Sequence, residues 1–406
     1  MVVGEADRVP VTSLASPLVR LEPEQRTIVE RVAVLARKRF APRAARYDAE
    51  SVFPRENYTD LHAAGLLGLT VPKAYGGLGV DALTYALSLL EMAKGCSATA
   101  LTFNMHATVL GFLAELATPD QQRFYFREVV EGGKLIASIT SEPDQSFRDT
   151  FALQTRFQAL PAGQFHLVGL KQFCSMGDSA DYYFVSGLVD GAASAREGIL
   201  SALVPRDSGG LTVEGRWNAT GMRGTVSHTI RYDCVLEPFA IVGAPGQFLS
   251  VDLSGFALGY AAVYLGIGEA AYEFILEYAC TKPRRPSNEP LAYDPLVQRA
   301  LAEMETALRS ARLLLCEAAL LKNTGVGPEV TRAVNQAKYL GAEVGSQVTE
   351  RAIRLAGGRG ILKDIPLERW RRDALAGPVM PPANDRCLET VGKILCGLRA
   401  ATLEFQ

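Results

Sequence analysis

The sequence predicts an α+β chain with its layers segregated along the 406 residues: a helical block, a strand-rich block, then a second helical block. Three observations carry this. Apolar residues recur at spacings of three and four up to about residue 133, alternate in twos between 136 and 232, and return to helical spacing from about 250. Strands gathered in the middle, not interleaved with helices, argue against a βαβ nucleotide fold. The expected divisions are a loose lead-in at 1–20, a helical domain at 21–133, a β domain at 134–245 and a helical bundle at 246–406.

Charge mixed with Pro and Ser marks the lead-in. From Glu22, the apolar series Ile28, Val32, Val34, Leu35 and Phe40 predicts a helix, which Pro42 is expected to end. A helix at 56–64 leads to Lys73-Ala-Tyr-Gly-Gly-Leu-Gly79. This stretch lacks the Gly-Lys-Ser/Thr ending of a phosphate loop and reads as a turn. Helices are predicted at 81–94, 97–117 and 118–131. Strands centre on 153–157, 166–168, 182–185, 200–204 and 229–232. Helices follow at 250–280, 294–322, 328–355, 367–374 and 384–403, interrupted by the proline-rich 282–290 and by the glycines of 357–360.

A net charge of −2 with 21% charged residues gives no electrostatic footprint for nucleic acid or an anionic membrane. Seven cysteines without CxxC or Cys/His spacing predict no metal site and read as buried thiols in a reducing cytoplasm. The N-terminal residues lack a basic segment followed by an apolar run, so secretion is not expected. The uncharged stretches 95–114 and 253–268 read as core helices: the first carries polar groups and the second is shorter than a span of roughly 20 residues.

Two short polar turns stand out within the strand block, Ile139-Thr-Ser-Glu-Pro143 and Gly169-Leu-Lys-Gln-Phe-Cys-Ser-Met-Gly177. Taken with the segments 65–79, 217–228 and Pro366-Leu-Glu-Arg-Trp-Arg-Arg-Asp373, their order and spacing over about 22–404 resemble the acyl-CoA dehydrogenase superfamily. The resemblance implies a C-terminal four-helix bundle, a homodimer or homotetramer, and FAD rather than FMN between the β domain and the bundle. It implies that Thr140, Ser141 and Ser175 lie at the flavin edge and that Phe173 packs on the ring. Oriented donors there stabilise the negative charge that reduced flavin gathers. For the phosphate half of the cofactor it points to Arg285, Gln298, Arg354, Gly357 and Gly358, some of them serving a neighbouring subunit.

The departure from the family lies in the catalytic base. Its two known locations fall here on Pro381, within Ala376-Gly-Pro-Val-Met-Pro-Pro382, and on Phe256, so Phe256, Met380 and Pro381 are expected to line the substrate pocket. Asp252 and Asp385 lie close enough in sequence to serve as a displaced base for acyl-CoA or acyl-carrier desaturation. Without a base, His106 becomes the candidate catalytic group. It lies on a helix face with Thr102, Leu110 and Leu113, and in related flavin monooxygenases a histidine at a similar place lies near the ring and can relay a proton. The structural reading, a core histidine bonded to a neighbouring carbonyl, stays open beside it. A second route is decarboxylation of a β-keto acid followed by desaturation and epoxidation, with Arg148, Arg223 or Arg372 meeting the substrate carboxylate. The expected function is therefore a flavin oxidoreductase of non-standard chemistry acting on a small-molecule or carrier-bound acyl substrate, with O2 as a possible partner. A catalytically idle scaffold is the reading from a different class.

Overall fold

In the computed structural model, which describes residues 20–144 and 152–400, the first helical block opens on a capping box. The Glu22 amide donates to Gln25 Oε1 (2.8 Å) at the head of α1 (Pro23–Leu35). Pro42 does not end this run. A π-helical turn at Ala36–Phe40 passes the chain into α2 (Ala41–Glu50), where the proline occupies the first turn and its missing N–H costs nothing. Then come α3 (Arg55–Ala63), α4 (Ala82–Gly95), α5 (Ser97–Leu116) and α6 (Pro119–Val130). The nearly uncharged sequence of α5, with Glu115 in its last turn as the exception, is explained by its burial on nearly every side.

The strands are β1 (Ile136–Ile139), β2 (Arg156–Ala159), β3 (Phe165–Cys174) and β4 (Tyr182–Val189). After the single turn α7 (Ala195–Gly198) follow β5 (Ile199–Pro205), β6 (Leu211–Gly215), β7 (His228–Leu236) and β8 (Ile241–Val242). They form one sheet in the order β6-β7-β3-β2-β4-β5-β8, and β1 pairs in parallel with β4. The short strands β6 and β8 were not foreseen. Between Lys171 and Cys174 the β3–β7 register slips, and this bulge sets the site.

The second helical block contains α8 (Ser254–Thr281), a ribbon of β9 (Pro283–Arg284) and β10 (Glu289–Pro290), α9 (Pro295–Lys322), α10 (Pro328–Ala356), α11 (Leu367–Ala374) and α12 (Asn384–Leu395). Helix α8 is its buried axis, with α10 closely packed along it. A Cβ on Gly345 of α10 would stand 2.3 Å from the Tyr264 carbonyl oxygen of α8, so only glycine permits the approach. Helix α12 stops short of the expected 403, because Gly397 takes a left-handed φ of 73° and turns the chain away; Leu403 lies outside the described residues. Among the described residues no helix is long and apolar enough to cross a membrane, and no His/Cys/Asp/Glu group could hold a metal ion.

Candidate active site

A cavity of about 570 Å³ lies between the sheet and the second helical block. Its sheet wall is built by the β3 bulge. Freed from β7, the Gln172 amide donates to the Ser141 carbonyl (3.0 Å), tying the two polar turns together. The next residue, Phe173, takes a φ of 55°, is 56% exposed and lines the cavity, its ring edge-on to Trp217 at 6.1 Å between centroids. A large aromatic ring held in a left-handed conformation and turned toward an opening is an expensive arrangement for packing alone.

Behind it runs a chain of hydroxyls. Ser175 Oγ meets Ser227 Oγ at 3.0 Å, Ser227 Oγ meets Thr225 Oγ1 at 2.8 Å, and Thr225 Oγ1 donates to the Met222 carbonyl at 2.8 Å. The turns rest on a buried ion pair. Lys171 Nζ reaches Glu142 Oε1 at 2.7 Å and donates to the Thr140 carbonyl at 3.0 Å, while Glu142 also accepts the Gln154 and Thr155 amides. Burial opposes the carboxylate charge, but Lys171 and these donors outweigh it and hold Glu142 below the usual carboxylate range. The segment carrying Trp217 is fixed from α11. Asp373 accepts the Met222 amide at 2.6 Å, and a Cβ on Gly221 would overlap the Arg372 carbonyl oxygen at 2.0 Å.

The opposite wall is apolar, presented by Phe256 and Tyr260 of α8, by Met105 and Phe112 of α5, and by Val379, Met380 and Pro381. The Tyr260 hydroxyl is fully buried and donates to the Met105 sulfur at 3.4 Å; burial pushes it well above its ordinary pKa. Asn104 clamps the start of α8, accepting from the Tyr85 hydroxyl (2.6 Å) and donating to the Phe256 carbonyl (3.2 Å). It therefore bonds across two other helices.

Thr140, Ser141, Phe173, Ser175, Phe256, Met380 and Pro381 thus meet at one cavity. His106 does not. It is turned from that space toward β1, fully buried, with Nδ1 accepting the Ile136 amide at 3.1 Å; burial lowers its pKa to about 4, so it is a neutral part of the core rather than a proton relay. Neither displaced base reaches the cavity. Asp252 pairs with Lys322 and caps Ser254, and Asp385 is exposed in the first turn of α12. Arg372 lines the cavity, but its guanidinium is held by Asp48 and Glu368; Arg223 bonds the Asp48 carbonyl, and Arg148 lies outside the described residues.

The residues expected at the phosphates also lie away from the cavity. Arg285 is exposed, Gln298 donates to the Ala292 carbonyl at 2.8 Å and Arg354 pairs with Glu350, while Gly357 and Gly358 face open space. A flavin ring fits the sheet wall, which offers an aromatic face, hydroxyl donors and an apolar opposite side. Sequence reading missed Ser227, Thr225 and Trp217, although all three lie within the family-like segment 217–228.

Residues 22–133 match the family model described as acyl-CoA dehydrogenase, N-terminal domain, and residues 250–395 match acyl-CoA dehydrogenase, C-terminal domain. The probable acyl-CoA dehydrogenase YngJ of Bacillus subtilis (strain 168) is 31% identical over 363 residues, spanning 87% of this chain and 93% of that protein. Butyryl-CoA dehydrogenase from Megasphaera elsdenii is similar in structure with a TM-score of 0.87 and 25% identity, over 93% of this chain and 99% of that one. The dibenzothiophene monooxygenase TdsC from Paenibacillus sp. A11-2 is similar in fold, with a TM-score of 0.82 and 22% identity over 93% of this chain and 99% of that one.

Proposed function

Since the chain belongs to the acyl-CoA dehydrogenase family of FAD-dependent oxidoreductases, we propose that it oxygenates a small, largely apolar molecule instead of desaturating an acyl thioester. One observation carries this reading: Phe256, Met380 and Pro381 face the ring-binding wall where a proton-removing carboxylate would be needed. Glu142, the carboxylate that does line the cavity, is engaged by Lys171 and two backbone amides.

Bound flavin supplies two electrons and the activation of O2; one oxygen atom enters the substrate and the other leaves as water, with a reduced-nicotinamide donor replenishing the electrons. The chain's own residues bind and orient. Ser141 and Ser175 present hydroxyls to the ring edge, Phe173 packs on its face, and the apolar wall excludes water and holds the substrate. An acidic substrate is disfavoured, because Arg372 is occupied by Asp48 and Glu368 and Arg386 is paired with Glu389. Association with a second copy, as a homodimer or homotetramer, and a place in the cytoplasm belong to the same reading, supported by the family relationship.

The test compares two half-reactions on the purified, flavin-loaded protein. Chemically reduced flavin should reoxidise rapidly in air, and an acyl-CoA panel with an artificial electron acceptor should give no turnover. Ordinary acyl-CoA turnover in the unaltered protein would overturn the reading. Phe256→Glu or Pro381→Glu should restore a carboxylate and give measurable acyl-CoA-dependent bleaching of the flavin.

A further inference from the structure

Lys338 is a buried cation that the proposed chemistry does not use. It lies on α10 with its side chain enclosed, and its Nζ donates to the Gly377 carbonyl and to Asn384 Oδ1, both at 2.9 Å. Those acceptors are the two ends of one loop, 377–384, whose middle presents Val379, Met380 and Pro381 to the cavity. The loop is closed by further contacts at the same place. The Asn384 amide donates to the Pro378 carbonyl at 2.8 Å, Asn384 Nδ2 donates to Glu343 Oε1 at 2.8 Å, and the Cys387 thiol donates to the Pro382 carbonyl at 3.4 Å. On the Gly377 side the loop lies against the Tyr264 ring, 3.0 Å from where a Cβ would stand.

We propose that Lys338 is a positioning residue that draws both ends of this loop together from behind, and so sets the shape of the apolar wall met by the substrate. The proposal rests on the cavity being the substrate site. A buried ammonium with two acceptors at opposite ends of a loop acts as a staple, and its hydrogen bonds are strengthened by charge. A neutral amine keeps two donors but loses that strengthening.

The titratable groups facing the ammonium are Glu343 from α10 itself and Cys387 from α12, with the Tyr264 phenol of α8 against the Gly377 end of the loop. Burial lowers the Lys338 pKa to about 8. It pushes the Cys387 thiol up to about 11 and the Tyr264 phenol well above its ordinary value, so neither loses a proton near pH 8. Because the folded pKa of Lys338 lies below that of the unfolded chain, the unfolded chain binds the extra proton between about pH 8 and 10.5, and this group's contribution to stability rises across that window. Because the loop covers Lys338, opening it returns the amine to water and toward its ordinary pKa, so the same linkage makes loop opening less favourable as pH rises through that window.

The experiment is hydrogen–deuterium exchange of the flavin-loaded protein, corrected for the intrinsic pH dependence of exchange, followed at the loop amides of Met380 and Asn384. Lys338→Met should speed opening of these amides by about ten-fold, the equivalent of one hydrogen bond to a charged group. Amides of the α9 core should be unchanged, and Lys338→Arg should recover part of the protection. In the unaltered protein, opening should fall several-fold as pH rises from about 8 toward 10.5; in Lys338→Met that fall should vanish. Equal loop protection in Lys338→Met and the unaltered protein would overturn the proposal. Should Lys338→Met fail to fold, a flat pH profile of loop opening in the unaltered protein would overturn it just as directly.

Naphthalene binding, read from the flavin difference spectrum, separates the two levels. Weaker binding by Lys338→Met supports the staple, and equal binding overturns it. If no apolar ligand binds the unaltered protein while the loop still loosens, the staple holds and the substrate reading above fails.

Discussion

The two walls of the cavity are built on opposite principles. On the sheet side hydroxyls and carbonyls flank the Phe173 and Trp217 rings, and three of these polar groups are secured by a second polar group: Ser175 by Ser227, the Thr140 carbonyl by Lys171, and the Ser141 carbonyl by the Gln172 amide. On the bundle side the lining is largely apolar, its Arg372 and Arg386 are held by carboxylates, and further polar groups lie behind it, where Asn104 clamps α8 and Lys338 holds the loop. The sheet wall is suited to an electronically active ring whose charge changes during turnover. The bundle wall offers shape and dryness and has no available acid or base. The hydroxyl and aromatic groups suited to the ring are thus gathered on one wall, and the residues on which the proposed oxygenation rests are gathered on the other.

The largest effect is expected where the sheet wall depends on a buried charge. Lys171→Met would break the buried Lys171–Glu142 ion pair, a change that typically costs about 3–5 kcal/mol. Urea unfolding should show that loss, and adding Glu142→Gln should recover part of it, since the second change removes the buried charge that Lys171 had balanced. A loss below about 1 kcal/mol in the single variant would mean that the turns are not held by this pair.

Next in size is an effect of pH that separates cavity from core. His106 is fully buried, and a folded pKa of about 4 against 6.5 in the unfolded chain corresponds to about 3 kcal/mol. The unfolded chain takes up the proton first as pH falls, so this contribution is complete above pH 6.5 and is lost toward pH 4. His106→Gln should flatten that part of the stability curve while leaving air reoxidation of reduced flavin unchanged. A large loss of reoxidation rate with an unchanged stability slope would return His106 to the chemistry.

The unequal legibility of the two walls has physical causes. The sheet wall is made of contiguous strings, so Thr140, Ser141, Phe173 and Ser175 could be read directly from two turns. What their alternation did not reveal was the bulge that turns Phe173 outward, because a register slip depends on the partner strand. Helix α5 illustrates a different difficulty. Its pattern is apolar all round, so nothing in the sequence says which face meets the cavity; Met105 and Thr108 do, and His106, one residue from Met105, is rotated by about 100°. Lys338 was invisible for a similar reason: a lysine within an amphipathic helix reads as a solvated position until the loop that covers it is placed. Pro42 misled because a π-helical turn upstream let the chain re-enter a helix with proline in its first turn.

The smallest effect concerns the second layer of the sheet wall. Ser227 stands between Ser175 and Thr225, and its removal leaves the Ser175 hydroxyl free to rotate while keeping it at the cavity. A neutral hydrogen bond of this kind contributes about 0.5–1.5 kcal/mol, so Ser227→Ala should weaken flavin binding by roughly 2–10-fold and shift the flavin absorbance slightly, with little change in overall stability. Ser175→Ala, which removes the hydroxyl facing the ring, should have the larger consequence of the two. Equilibrium dialysis against free FAD checks both. If Ser227→Ala weakens binding as much as Ser175→Ala, the hydroxyls act as one cooperative unit; if Ser227→Ala changes neither affinity nor spectrum, the sheet wall holds the ring through its first layer alone, and the contrast between a braced polar wall and a braced apolar one narrows to the bundle side.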